Sequence, residues 1–314
     1  METPVELNPA QQEVVEMLGA SRAERPVFET TLRTELSTAV EQGLEPLLER
    51  AAEIDDAIWV SKHALGQVMG CERRYLAEEE APFEWSVPSA RGSISHKAIE
   101  LSIHWRREPE PLALVDEALS RLAEGDDSLG DWLRATSETE RAELRAESND
   151  RVVKFLECFP PLKAQWRPVT ESRLRLEVQR FVFSGKVDLT LGHPEGTRAG
   201  KVLIDFKTGG FSPQHLEDLR FYALIEAIRL GVPPRRITTY YLDQGRFVPE
   251  DVTEGVLFAA AARLIDGTTK IVELLASARE PNLVAGPVCR WCPVLDDCDT
   301  GRRHLDEDAE GSGW

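Results

Sequence analysis

The chain has 314 residues, 42% of them hydrophobic, and its 55 acidic against 37 basic side chains give a net charge of −18. That apolar share supports a substantial core and excludes a solvated tail, and no run approaches the roughly 20 apolar residues of a membrane span. The acidic balance argues against indiscriminate nucleic-acid binding, although basic residues gathered in CERRYL, PPRRIT and GRRHL leave room for a local cationic groove.

Residues 1–57 read as a helical N-terminal extension, since FETTLRTELSTAVEQGLEPLLERAAEI spaces its apolar residues at helical intervals. METPVELNPAQQEVVEM lacks the basic start and apolar stretch of a secretory signal, so the cytoplasm is the expected compartment. LNPAQQ resembles the adenine-recognition motif that opens superfamily 1 helicases. No GxxxxGK[ST] phosphate loop follows it, and a capped amphipathic helix explains the segment. From Val60 to about Phe159 the pattern stays helical, and residues of about 105–160 form an expected helical insertion. The character then changes. RLRLEVQRFVFSGKVDLTLG alternates around a glycine-containing bend and predicts two neighbouring strands. KVLIDFKTG reads as a short apolar strand, HLEDLRFYALIEAIRLG as a helix closed by Gly231, and ITTYYLDQGRFVPEDV as strand, turn and strand. A last helix, EGVLFAAAARLIDGTTKIVELLA, leads to a cysteine-rich end, and residues 305–314 are expected to be a disordered acidic tail. The order predicts an α/β fold with a central sheet flanked by helices.

Two strand segments carry chemistry. In SGKVDLTLG, Asp188 alternates with Val187 and Leu189 and leaves the apolar face. In KVLIDFKTG, Asp205 and Lys207 share one face while Ile204 and Phe206 take the other. Two carboxylates and a lysine brought together suit Mg²⁺ or Mn²⁺, which prefer oxygen ligands. A strand that merely turns at Thr208–Gly209 would account for the same spacing.

GKVD followed by IDFKTG resembles the RecB-like branch of the PD-(D/E)XK nucleases, whose signature is a Gly-x-x-Asp strand and then a strand ending Asp-x-Lys-Thr-Gly. RGSISHKAIE supplies the Gly92 and His96 of that branch's Gly-x-x-x-His helix. Its Gln-x-x-x-Tyr helix is met by Tyr222, but Asp218 stands where Gln is usual. The resemblance covers roughly residues 58–304 and implies a restriction-endonuclease-like core with a mixed sheet. It also implies that His96, Asp188, Asp205 and the carbonyl of Phe206 bind the divalent ion, and that Lys207 is the catalytic lysine. Glu171 resembles the acidic residue preceding the first strand, with Glu177 a weaker candidate. Glu100, one turn after His96, could support the site.

Cys289, Cys292 and Cys298 form C-x2-C-x5-C, and Cys71 lies far upstream in MGCERRYL. Four thiolates are the usual complement of an iron–sulphur cluster or a structural zinc. One cysteine before the core and three after it resemble the AddAB-type nucleases and the iron–sulphur nucleases of CRISPR spacer acquisition. That likeness implies a [4Fe-4S] clasp over 289–298, with zinc the alternative. Cys158 reads as a buried small hydrophobe.

The expected function is metal-dependent hydrolysis of DNA, as an exonuclease in repair, recombination or defence, with DNA ends or single strands as partner and a helicase as a further one. Arg73, Arg74, Arg220, Arg290, Arg302 and Arg303 are candidates for phosphate contacts, and Trp291 for base stacking. The alternative is a DNA-binding or scaffold module whose site has lost activity.

Overall fold

In a computed structural model the described residues are 6–54, 57–105 and 108–311. The chain opens with α1 (Pro9–Leu18), α2 (Leu32–Leu44) and the short α3 (Leu48–Ala51). LNPAQQ is a helix cap: the Asn8 side chain accepts from the Gln11 amide at 2.9 Å, and the Gln11 side chain accepts from the Asn8 amide at 3.2 Å. Then follow β1 (Ile58–Ser61), α4 (Lys62–Gly70), α5 (Glu72–Glu80) and α6 (Val87–Ile103). Next come α7 (Pro111–Ala123), α8 (Ser128–Ala135) and α9 (Glu138–Cys158), then β2 (Val169–Val178), β3 (Phe181–Leu191) and β4 (Val202–Lys207). The chain finishes with α10 (Gln214–Leu230), β5 (Arg236–Tyr241), β6 (Arg246–Asp251), α11 (Glu254–Leu275) and α12 (Asp299–Gly311).

One mixed sheet organises the molecule, in the order β1-β3-β4-β5-β6 with β2 also on β3. The antiparallel hairpin β2–β3 pairs along nearly its whole length. The other edge of β3 is shared. Parallel β1 takes Phe181–Ser184, and antiparallel β4 takes Leu189–Leu191. Gly185–Asp188 thus have a strand on one side only, a notch in the middle of the sheet. β1, read above as part of a helical stretch, has four residues, too few to show a period, and its partner lies more than a hundred positions away. The hairpin turns at Gln179 and Arg180, Gln179 taking a positive φ, while the glycine of the expected bend, Gly185, lies inside β3.

One core, built from α2, α4, α10, α11 and the sheet, buries Leu36, Val40 and Leu44 completely. The N-terminal helix α2, placed in an extension by the sequence, therefore packs into this core. A second core on the sheet joins Phe206, Tyr240, Phe155 and Phe159 to Val14 and Leu18 of α1. The expected insertion is helical, and α7, α8 and α9 close a third core against α6. The acidic end also differs from expectation: α12 extends through residue 311, with Asp299 in its first turn favouring the helix N-terminus. Residues 312–314 lie outside the described part. Among the described residues, no helix is long and apolar enough to cross a membrane.

Candidate metal centre and active site

The notch is where the chemistry gathers. One step beyond the last paired couple, Leu189 with Ile204, Asp188 and Asp205 come level on neighbouring strands. Tyr222 fills the place of the missing strand: its hydroxyl accepts the Lys186 amide at 3.4 Å. Gly185 makes that possible, because a Cβ there would fall 2.3 Å from the Tyr222 ring. The Gly-x-x-Asp spacing and the tyrosine of α10 are thus one packing arrangement.

Two groups of side chains face the notch. In the first, His96 Nδ1 lies 3.2 Å from Asp188 Oδ1, and a Glu171 oxygen joins them so that the three ligand atoms fall within 4.8 Å of one another. Asp188 Oδ2 accepts the Phe206 amide at 2.7 Å, which ties the two strands and fixes the carboxylate. Glu171 reaches the group from a strained backbone, φ +53, level with Asp188 on β2, and pairs with Lys186. A left-handed glutamate inside a strand costs about 1–2 kcal/mol and persists where the surroundings impose it.

In the second group, Asp205 lies between two lysines. Lys62 Nζ donates to Oδ1 at 2.9 Å, and Lys207 Nζ stands 2.8 Å from Oδ2. The Lys207 contact lacks hydrogen-bond alignment, so Oδ2, fully buried, has no hydrogen-bond donor. Asp218 Oδ2 lies 3.7 Å from Lys62 and 3.8 Å from Lys207, and its Oδ1 accepts from Gln214 at 2.9 Å. The Lys62 ammonium also sits 4.9 Å over the Tyr222 ring.

The electrostatics follow from this placement. Burial pushes the Asp205 carboxyl up, but the charges of Lys62 and Lys207 outweigh it and hold the pKa below the usual carboxylate range. Burial likewise pulls His96 down, and Asp188 with Asp205 overcomes it, so the imidazole is raised above its ordinary value. For Tyr222 burial dominates, raising the phenol to about 12 and keeping it a neutral hydroxyl.

Of the residues expected at the site, His96, Glu171 and Asp188 form one ligand group and Asp205 with Lys207 a second beside it, Asp205 standing outside the 4.8 Å group. Phe206 ties the two strands and Tyr222 fills the notch. Glu100 pairs instead with Lys97 at 2.8 Å, and Glu177 with Arg175 at 2.7 Å, 60% exposed. Lys62 and His215 escaped the sequence. His215 Nδ1 lies 3.0 Å from the Tyr241 hydroxyl, and burial followed by the charge of Lys207 lowers its pKa. Only the β1–β3 pairing could have flagged Lys62, at the junction of a four-residue strand with a helix.

The four cysteines also converge. Cys71, Cys289, Cys292 and Cys298 line one hollow of about 380 Å³, its open mouth included. The Cys289 and Cys298 sulphurs both lie 3.5 Å from where a Gly301 Cβ would stand, and the Gly286 and Gly301 amides donate to these same two sulphurs at 3.4 Å. Cys158 is elsewhere, against Gly245 and the second core. Of the arginines, Arg74 pairs with Glu78, Arg220 with Glu217 and Glu250, and Arg302 with Asp299, while Arg290 stacks over Trp291 at 5.2 Å.

A mixed sheet flanked by helices, with aspartates and a lysine converging at adjacent strands, defines a restriction-endonuclease-like α/β protein. The sequence model of the PD-(D/E)XK nuclease superfamily matches residues 60–299, and the chain belongs to that superfamily. No curated protein matches it. Among solved structures it is similar to a provisionally assigned exonuclease from Eubacterium rectale, at 12% identity and a TM-score of 0.46, over 78% of this chain and 87% of the other. It is also similar to the protein SSO0001, at 12% identity and a TM-score of 0.33, over 84% and 95%.

Proposed function

We propose that the protein is a Mg²⁺- or Mn²⁺-dependent deoxyribonuclease that works as an exonuclease on DNA ends or single strands. The observation that carries the reading is the meeting of His96, Glu171 and Asp188 within 4.8 Å beside the Asp205–Lys207 pair. A hard divalent ion suits these donors: carboxylate oxygens, one imidazole, and a buried Asp205 oxygen without a hydrogen bond. His96, Glu171, Asp188, Asp205 and the Phe206 carbonyl would hold the ion. Bound there, it would polarise the scissile phosphate and make its water more acidic. Lys207 steadies the attacking hydroxide and the charge that develops on the phosphate. Asp188, fixed by the Phe206 amide, keeps its other oxygen turned to His96. Tyr222 stays protonated and props the notch open.

The same reading gives the cysteine clasp a [4Fe-4S] cluster that joins the α4–α5 junction to the C-terminal segment. Iron and sulphide analysis of anaerobically purified protein is expected to give about four of each, and one zinc per chain would replace the cluster with a zinc site.

The deciding experiment is cleavage of labelled single- and double-stranded DNA with Mn²⁺, with Mg²⁺ and with EDTA. Activity is expected with either metal and none with EDTA, falling at least 100-fold in Asp205→Ala and Lys207→Ala. Wild-type protein that binds DNA without cutting it would instead make this a scaffold module, the role to which the Asp218 departure and the acidic surface point. A helicase partner and a role in repair, recombination or defence extend the same proposal.

A further inference from the structure

Lys62 has no part in the chemistry proposed above, yet it makes the best-aligned contact on Asp205. It is the first residue of α4, whose Ser61 cap accepts the Ala64 amide at 3.1 Å. Because β1 and β4 share one edge of β3, the chain leaving β1 delivers this side chain into the notch beside Asp205. Its ammonium is 2.9 Å from Asp205 and 3.7 Å from Asp218. Asp218 is anchored: Gln214 donates to it at 2.9 Å, and Arg263 donates to Gln214 at 3.1 Å. The result is a quartet of two lysines and two aspartates that balances its own charge. Without Lys62, Asp205, 2% exposed, and Asp218 would be buried with a single cation between them, a costly arrangement.

A divalent ion on Asp205 meets two ammonium groups already in contact with that carboxylate. Lys207 has a role there; Lys62 is the one with somewhere else to go, since the anchored Asp218 carboxylate waits within a side-chain rotation. We infer that Lys62 is a positioning residue for Asp205, an internal counter-cation that offsets the carboxylate's charge and holds its orientation while the metal is away. It passes to Asp218 when the metal binds, and so sets the metal concentration at which the site fills. This rests on the metal-site reading above. It also gives a role to Asp218, which departs from the Gln-x-x-x-Tyr pattern the helix resembles: the aspartate is the second berth for Lys62.

The test is Mn²⁺ binding without DNA, by calorimetry and by thermal shift against EDTA. Lys62→Met, similar in size but uncharged, is expected to bind Mn²⁺ on the order of tenfold more tightly, because a like charge a few ångströms away has been removed. Its melting temperature in EDTA falls, and its rise on adding Mn²⁺ exceeds that of wild type. Lys62→Arg stays near wild type. Lys62→Gln moves with Lys62→Met and keeps the test open if the methionine variant folds poorly. Asp218→Asn, which removes the second berth, weakens Mn²⁺ binding in wild type but much less in Lys62→Met, a non-additivity that a purely structural role would not produce. Unchanged Mn²⁺ affinity in both neutral variants, or strict additivity with Asp218→Asn, overturns the role of Lys62 alone. Wild-type protein that binds no Mn²⁺ overturns the metal centre itself and this inference with it.

Discussion

Gly185 shows how much a single missing side chain decides. A methyl group there would lie 2.3 Å from a Tyr222 ring that is itself 1% exposed and packed in the core. Gly185→Ala is therefore expected to lose about 1–3 kcal/mol, the usual cost of overpacking, seen as a lower urea midpoint with an unchanged slope. Asp188 should suffer as well, because Tyr222 props the strand that carries it. At this scale the sequence was informative where a motif is local. IDFKTG placed Asp205 and Lys207, and GKVD placed Asp188. His96 was reachable through Gly92. Glu171 was identified by its position before a strand, but its left-handed backbone leaves no trace in the residue types around it. Lys62 was invisible for a related reason: it follows a serine at a strand end and belongs to no motif, and its role exists only once β1 docks beside β3.

Between elements, the clasp depends on more than its cysteines. Glu72, next to Cys71 and 4% exposed, accepts from both Nη atoms of Arg279, at 2.6 and 2.9 Å, and from the Asn282 amide at 2.8 Å. This pins the start of α5 to the segment that leads into the three downstream cysteines. The Arg279 hydrogen bonds hold the Glu72 pKa down at about 2. Since a depressed carboxylate stabilises the fold above its unfolded pKa, its contribution is complete above about pH 4.5 and is lost as the pH falls towards 2. Glu72→Ala is expected to cost about 2–3 kcal/mol near neutral pH, discounted from a fully buried pair because Arg279 is partly exposed. A pH series of thermal melts checks both claims, with wild type and variant converging under strong acid. Element types were largely legible here, since α10, α11 and the β2–β3 pair announce themselves by period. The exceptions were β1, too short to show a period, and α12, whose acidic composition reads as a tail although the helix runs through it.

Taken whole, the molecule is a nuclease core that extends further towards the N-terminus than its motifs do. Leu36, Val40 and Leu44 of α2 are fully buried among α10, α11 and the sheet. Deleting residues 1–57 should therefore abolish cooperative unfolding, and Leu36→Ala alone should cost about 2–5 kcal/mol, both measurable by calorimetry. The sequence separated this segment because it matched no nuclease motif, yet burial follows contact and not motif.

The shared edge of β3 has one more consequence. β2 covers one edge of β3 along nearly its whole length, while β1 and, past the notch, β4 with β5 and β6 share the other, so the two pieces on that edge are joined by strand pairing only through β3. Lys62 arrives from the β1 side of the notch, Asp205 and Lys207 from the β4 side, and Asp188 lies on β3 between them. A slide of β1 against β4 along β3 would therefore change the spacing of these groups directly.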